Sequence, residues 1–157
     1  MRIEYFQLID RIVALDIGAA TISVEAVVPT ESTIFEGHFP GYPLMPGVLL
    51  IESMAQTSGW LVIGLTKFER MPFLAAVKEA KLRTFVKPGT RLTVSAKLLH
   101  DGSGYAITKA AVAAEGKPIC DAEITFRVVP FPEQTMRRAM EDTAARIGFP
   151  LQALADG

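Results

Sequence analysis

Two side chains in this sequence combine reactive chemistry with unusual surroundings: His38 and Glu52. Glu52 follows Ile51 and lies two residues before Met54, in a stretch that is apolar on nearly every side. An ionised carboxylate is expensive there, so the group must be paired or protonated. Gln56, four residues on, shares its helical face and can hydrogen-bond to it. Glu52 taken alone fits two accounts equally. Either it fixes the fold, paired with Gln56 or an arginine, or it is a proton donor. His38 is bracketed as Phe35-Glu36-Gly37-His38-Phe39-Pro40-Gly41, an apolar loop stiffened at both ends. Such a frame orients an imidazole, as general-base chemistry requires. The other histidine, His100, borders the Gly-rich turn at 101–104 and reads as solvated.

Together the two groups say more than either alone. A base and an acid approach the start of one helix, where the backbone N–H of Gly47 and its neighbours is open and the helix dipole favours negative charge. Charge growing on a carbonyl oxygen can be stabilised there. The reaction class is proton transfer α to a carbonyl, coupled to loss of an oxygen leaving group. It calls for no metal and no cofactor, and the histidines and carboxylates show no ligand spacing. Ser53, Thr57 and Ser58 lack the Gly-x-Ser-x-Gly elbow of a nucleophilic serine. Gly102-Ser103-Gly104 reads as a hairpin turn and not a phosphate cradle.

The elements that must hold these groups are legible in outline. Residues 4–9 suggest a short helical turn. Ile12–Leu15 and Thr21–Val28 read as strands, the second by strict alternation. Residues 30–47 carry Gly37, Pro40, Gly41, Pro43, Pro46 and Gly47 and read as a stiffened loop. A long helix is expected from Pro46, through Val48 to Thr66; being apolar all round, it must be enclosed. Strands are expected at 73–78, 80–86, 91–99, 105–114 and 118–129, the last four as an antiparallel meander separated by turn residues. A final helix opens at Pro132-Glu133, places Met136, Met140 and Ile147 on one side, and closes at Gly148 before Pro150. It reads as a packing arm, with a lid or partner-docking role as the alternative. The division expected is a domain over 1–131 and a helical extension over 132–157. One enclosed helix with six or seven antiparallel strands is an α+β fold, and a second subunit is the simplest cover for what one sheet leaves bare.

Composition narrows the function classes. The 157 residues make about one domain. Sixteen basic residues against seventeen acidic leave a net charge of −1, which provides no field for nucleic acid or an anionic membrane. The single cysteine, Cys120, excludes an intrachain disulfide and reads as buried in a reducing compartment. The start of the chain lacks a signal-peptide core, and a membrane-spanning reading of 47–65 would strand Glu52 in hydrocarbon. A soluble, cytoplasmic protein is expected.

The run Gly37-His38-Phe39-Pro40-Gly41-Tyr42-Pro43-Leu44-Met45-Pro46-Gly47-Val48-Leu49, continuing to Glu52-Ser53-Met54-Ala55-Gln56, closely resembles the signature of the (3R)-hydroxyacyl-acyl-carrier-protein dehydratases of the FabZ type. Weaker likeness covers about residues 5–129. The resemblance implies a hotdog fold, an antiparallel sheet wrapped around a central helix. It also implies a homodimer, commonly three of them joined as a hexamer, with active sites at the interface. By the same resemblance His38 is the catalytic base, and Glu52, from the opposite subunit, is the acid. The Gly47 amide holds the thioester carbonyl, and Phe39, Val48 and Gln56 contribute to substrate binding. Lys78, Lys81, Arg83 and Lys87 stand where the family meets its acidic acyl carrier protein. Glu79, Thr84 and Phe85 depart from the pattern there, and the C-terminal helix lies beyond the usual end of the fold. Glu52 separates the chain from the dehydratase–isomerase branch, which carries aspartate at that position. The activity implied is dehydration of (3R)-3-hydroxyacyl thioesters to trans-2-enoyl thioesters in fatty acid or related acyl-chain biosynthesis. The alternatives are a hotdog thioesterase and a non-catalytic acyl-binding sensor subunit. Trp60, Phe73 and Phe85 are candidates for lining the acyl tunnel.

Overall fold

The computed structural model describes residues 1–155 and bears out the α+β hotdog expectation. A 3₁₀ turn at Ile3–Tyr5 precedes strands β1 (Arg11–Asp16) and β2 (Thr21–Val27), a short helix α1 (Thr33–Gly37) and the long helix α2 (Gly47–Leu65). Strands β3 (Arg70–Leu82), β4 (Arg91–Gly102), β5 (Tyr105–Ala114) and β6 (Lys117–Pro130) follow, then helices α3 (Gln134–Ile147) and α4 (Leu151–Ala155). The six strands form one antiparallel sheet in the order β1-β2-β4-β5-β6-β3.

Helix α2 begins one residue after the expected proline, because Pro46 (ψ 133°) is the extended residue that caps it. From Ser53 to Gly64 every residue is buried except Gln56. The sheet supplies most of that cover: Val24, Leu92, Val94 and Ile124 are fully enclosed and share one core with Met54, Leu61 and Ile63 of the helix. Length and composition would let α2 cross a membrane, but 67% of it is buried inside this fold. Its hydroxyls are all engaged. Ser53 donates to the Leu8 carbonyl, Thr57 to the Ser53 carbonyl, and Thr108 of β5 to Ser58 at 2.8 Å. No buried side-chain nitrogen or oxygen among the described residues lacks a partner, as a dry core demands.

Three expectations need correction. The two strands placed at 73–78 and 80–86 are one strand, β3; the break is a bulge between Lys78 and Lys81, with Glu79 at φ 51°. The last four strands are not a simple meander. Val28 bonds residues 89 and 90 in both directions, through Val28 N–H to Thr90 O and Gly89 N–H to Val28 O. The Pro88-Gly89 turn therefore delivers β4 to β2, while β3 is left to pair with β6 at the far edge. The loop at 30–47 also contains α1, capped by the Ser32 hydroxyl, which accepts from Ile34 N–H.

Leu61 sits at 0% exposure in the middle of α2. Leu61→Ala is expected to cost about 2–5 kcal/mol through lost burial and a residual cavity. Urea unfolding should show a lower midpoint with an unchanged slope.

Candidate active site

The histidine loop is built from backbone bonds outward. His38 is the residue that ends α1, its N–H bonded to the Ile34 carbonyl at 3.0 Å. Phe39 and Tyr42 exchange backbone hydrogen bonds around Pro40-Gly41, and Gly41 takes φ 74°, the conformation glycine adopts without strain. Leu44 and Met45 are buried anchors; Met45 N–H reaches the Val86 carbonyl at 2.8 Å. The decisive contact is Nδ1 of His38 to the Leu44 carbonyl oxygen, 2.9 Å. A carbonyl can only accept, so in the neutral ring Nδ1 carries the proton and Nε2 keeps its lone pair. The imidazole also stacks on Phe39 with centroids 4.0 Å apart.

The start of α2 stands next in the chain. The N–H groups of Leu49 and Leu50 both go to the Pro46 carbonyl, leaving those of Gly47 and Val48 with no carbonyl in the helix to bond. Gly47 is pressed against β3: a Cβ there would lie 2.5 Å from Leu82 Cδ1. Val48 is 70% exposed and Phe39 49%, so the apolar surface around this amide is open in the single chain.

Glu52 is partly buried one turn further on. Burial pushes its carboxyl above the ordinary value of 4.5, and a 3.3 Å hydrogen bond from Gln56 Nε2 pulls part of the way back. Gln56 is fully committed. Its Oε1 accepts from Leu8 N–H (3.1 Å) and its Nε2 also donates to the Phe6 carbonyl (2.8 Å). One amide therefore clamps the N-terminal segment to α2 and steadies the acid. The expected Glu–Gln pair is present, and it does not neutralise the carboxyl.

Glu52 opens onto a cavity of about 460 Å³ between α2, the N-terminal segment, β3 and α3. Ala55, Trp60, Ile63, Met71 and Phe126 make much of its wall apolar. Of the three aromatics expected at an acyl tunnel, Trp60 lines this cavity, while Phe73 and Phe85 lie exposed outside it. His38 is not among its lining residues, so one chain does not bring the base and the acid into one chamber. Cys120 is no competing nucleophile. It is 1% exposed, and burial, then the neighbouring Asp121, push its thiol up to about 11.

The sequence model of the FabA-like domain matches residues 2–123. The chain belongs to the FabA-like family. It is 37% identical over 123 residues to a "3-hydroxyacyl-[acyl-carrier-protein] dehydratase FabZ" of Clostridium acetobutylicum, covering 78% of this chain and 86% of that relative. The protein of the same name from Latilactobacillus sakei is 38% identical, with 76% and 85% covered. Among solved structures, a conserved protein from Pseudomonas aeruginosa superposes with TM-score 0.63 at 22% identity, over 80% of this chain and 91% of that one. A thioesterase from Haemophilus influenzae gives 0.60 at 15%, over 78% and 80%. At such identities these two neighbours speak for the fold alone.

The FabA-like segment includes the basic residues of β3 and the turn after it, Lys78, Lys81, Arg83 and Lys87. Arg83 is ion-paired with Asp121, which Lys109 also holds at 3.1 Å. Lys78 pairs in register with Glu123 of β6, and Lys87 caps the turn at Thr90 through its carbonyl. Two features escaped sequence reasoning: the Leu44 carbonyl that orients His38, and the Phe6 and Leu8 backbone groups that hold Gln56. Backbone partners carry no residue-type signal.

A carboxyl raised by the fold keeps its proton to higher pH than in the unfolded chain. Its contribution to stability is therefore full below 4.5 and is lost as pH rises through the window above that value. The melting temperature of the parent protein relative to Glu52→Gln is expected to fall over that window and then level off. A difference that stays flat with pH would contradict the raised carboxyl.

Proposed function

We propose that this protein dehydrates (3R)-3-hydroxyacyl thioesters, carried on acyl carrier protein, to trans-2-enoyl thioesters in fatty acid or related acyl-chain biosynthesis, in the cytoplasm. The observation that carries the reading is the Nδ1 bond of His38 to the Leu44 carbonyl, which leaves Nε2 as a fixed base. His38 Nε2 takes a C2 proton, and the C–H electron pair becomes the C2–C3 double bond. The C3 hydroxyl leaves with the proton of Glu52 as water. The Gly47 N–H, at the positive end of α2, stabilises the charge that develops on the thioester oxygen. A carboxyl raised by burial suits the acid role, because it still holds a proton closer to neutral pH. Proton exchange with solvent then resets both groups.

A second copy of the chain completes the site in this reading, bringing its Glu52 to the first chain's His38. The edge strand β3 supports it: Leu74, Val77 and Leu82 are 49%, 37% and 50% exposed, with one side of the strand unpaired. Val48 and Phe85 are exposed as well, at 70% and 79%. A homodimer, or a hexamer of three dimers, covers them. Phe39, Val48 and Gln56 border the substrate, and Lys78, Lys81, Arg83 and Lys87 are the proposed contact for the acidic carrier.

His38→Ala and Glu52→Gln are each expected to slow enoyl formation by about 10²–10⁴-fold while leaving the fold intact, followed by ultraviolet absorbance with 3-hydroxyacyl thioesters. Co-refolding the two inactive variants should restore turnover, because a mixed dimer contains one intact site. Near-normal rates in either single variant would remove the assignment. Release of free thiol without enoyl formation would mark a thioesterase, and acyl binding without any turnover would mark a sensor.

A further inference from the structure

The region beyond the FabA-like segment shapes the cavity into which Glu52 opens. Helix α3 starts eleven residues after the match ends at residue 123, yet Met140, Thr143, Arg146 and Ile147 all line that cavity. The helix is locked in place. Ala144 and Ile147 are buried at 0% and 6%, and Gly148 (φ 76°) reverses the chain so that Phe149 turns back into the core. Phe149 packs against Trp60 at 5.5 Å and edge-on to Phe68 at 5.6 Å. Trp60 is itself a cavity wall, eight residues beyond Glu52, or about 12 Å along the helix axis. Just past α3, Phe149 thus anchors this segment on Trp60, about two turns of α2 beyond Glu52. On the open side, both Nη atoms of Arg146 reach the Gln7 side-chain oxygen at 3.2 Å, tying α3 to the N-terminal segment.

We infer that α3 is the distal wall of the acyl site and sets the length of acyl chain the enzyme accepts, with Met140 as its specificity-determining side chain and Arg146–Gln7 as the tie that holds the wall in position. The inference rests on the dehydratase reading, because a substrate whose C3 lies at Glu52 must run its acyl tail along the Ala55–Trp60–Ile63 face of α2 toward α3. Met140 is partly buried and flexible, so its volume can be changed without opening the packed Ala144–Phe149 anchor.

The test measures kcat/KM for 3-hydroxybutyryl, 3-hydroxyoctanoyl and 3-hydroxypalmitoyl thioesters on carrier protein. Met140→Trp is expected to lower the ratio of the longest to the shortest substrate by about tenfold or more, the usual scale of steric discrimination in an apolar pocket. Met140→Ala is expected to move the ratio the other way. Arg146→Ala, which removes the tie to Gln7 together with one lining side chain, should flatten the length profile. If Met140→Trp fails to fold, Met140→Ala decides. Variants that turn over substrate with an unshifted profile, or that lose activity equally at every length, would overturn the role of α3 alone. A parent protein inactive at every length would instead remove the dehydratase reading, and this inference with it.

Discussion

A helix that is apolar on every side has to be covered on every side, and the architecture follows from that requirement. The sheet encloses one flank of α2, and the N-terminal segment and α3 close over part of what remains. The first turn carries the most exposed residue of α2, Val48, at 70%. The Gly47 amide, with no carbonyl in the helix to bond, stands at that end directly after the His38 loop, while Glu52 opens onto a separate cavity. The hydroxyls deeper along α2 are engaged by carbonyls and by Thr108 of β5, which is why they offer no chemistry.

Two polar contacts prepare the reactive groups, and they do so differently. His38 is given its tautomer by a carbonyl that belongs to its own loop, so the ring is set by local chain geometry. Glu52 is set by a long-range clamp: Gln56 holds backbone groups of Phe6 and Leu8, some fifty positions away in sequence. Burial and that amide act on the carboxyl in opposite directions, and burial prevails. Glu52 is therefore held beside the docked N-terminal segment, whereas the His38 contact lies within the loop between α1 and α2, which Met45 ties to Val86.

Two surfaces extend this core. The bulged edge strand β3 exposes apolar side chains on an unpaired flank, beside the Leu82 that touches Gly47. The C-terminal helix lies outside the segment shared with the family, yet its anchor residues belong to the same core as Trp60 and Phe68. In the proposed reading the first surface brings the second copy to the chemistry and the second shapes the space for the substrate tail.

The amino-acid sequence alone determined the elements whose cause is local. Proline at the helix start and an unbroken apolar run marked α2 to within a residue. Turn residues marked the β4–β5 and β5–β6 hairpins, and Gly148 marked the end of α3. His38 and Glu52 were visible because their types clash with their neighbours. Tertiary structure decided what depends on partners distant in sequence. It placed β3 against β6 instead of β4, docked Gln56 on Phe6 and Leu8, and brought α3 to the cavity. It also chose the Leu44 carbonyl for His38, a contact made by a backbone atom that every residue type possesses. Periodicity and turn chemistry act over a few residues and leave a trace in residue type; long-range pairing and backbone acceptors arise only once the chain has closed on itself.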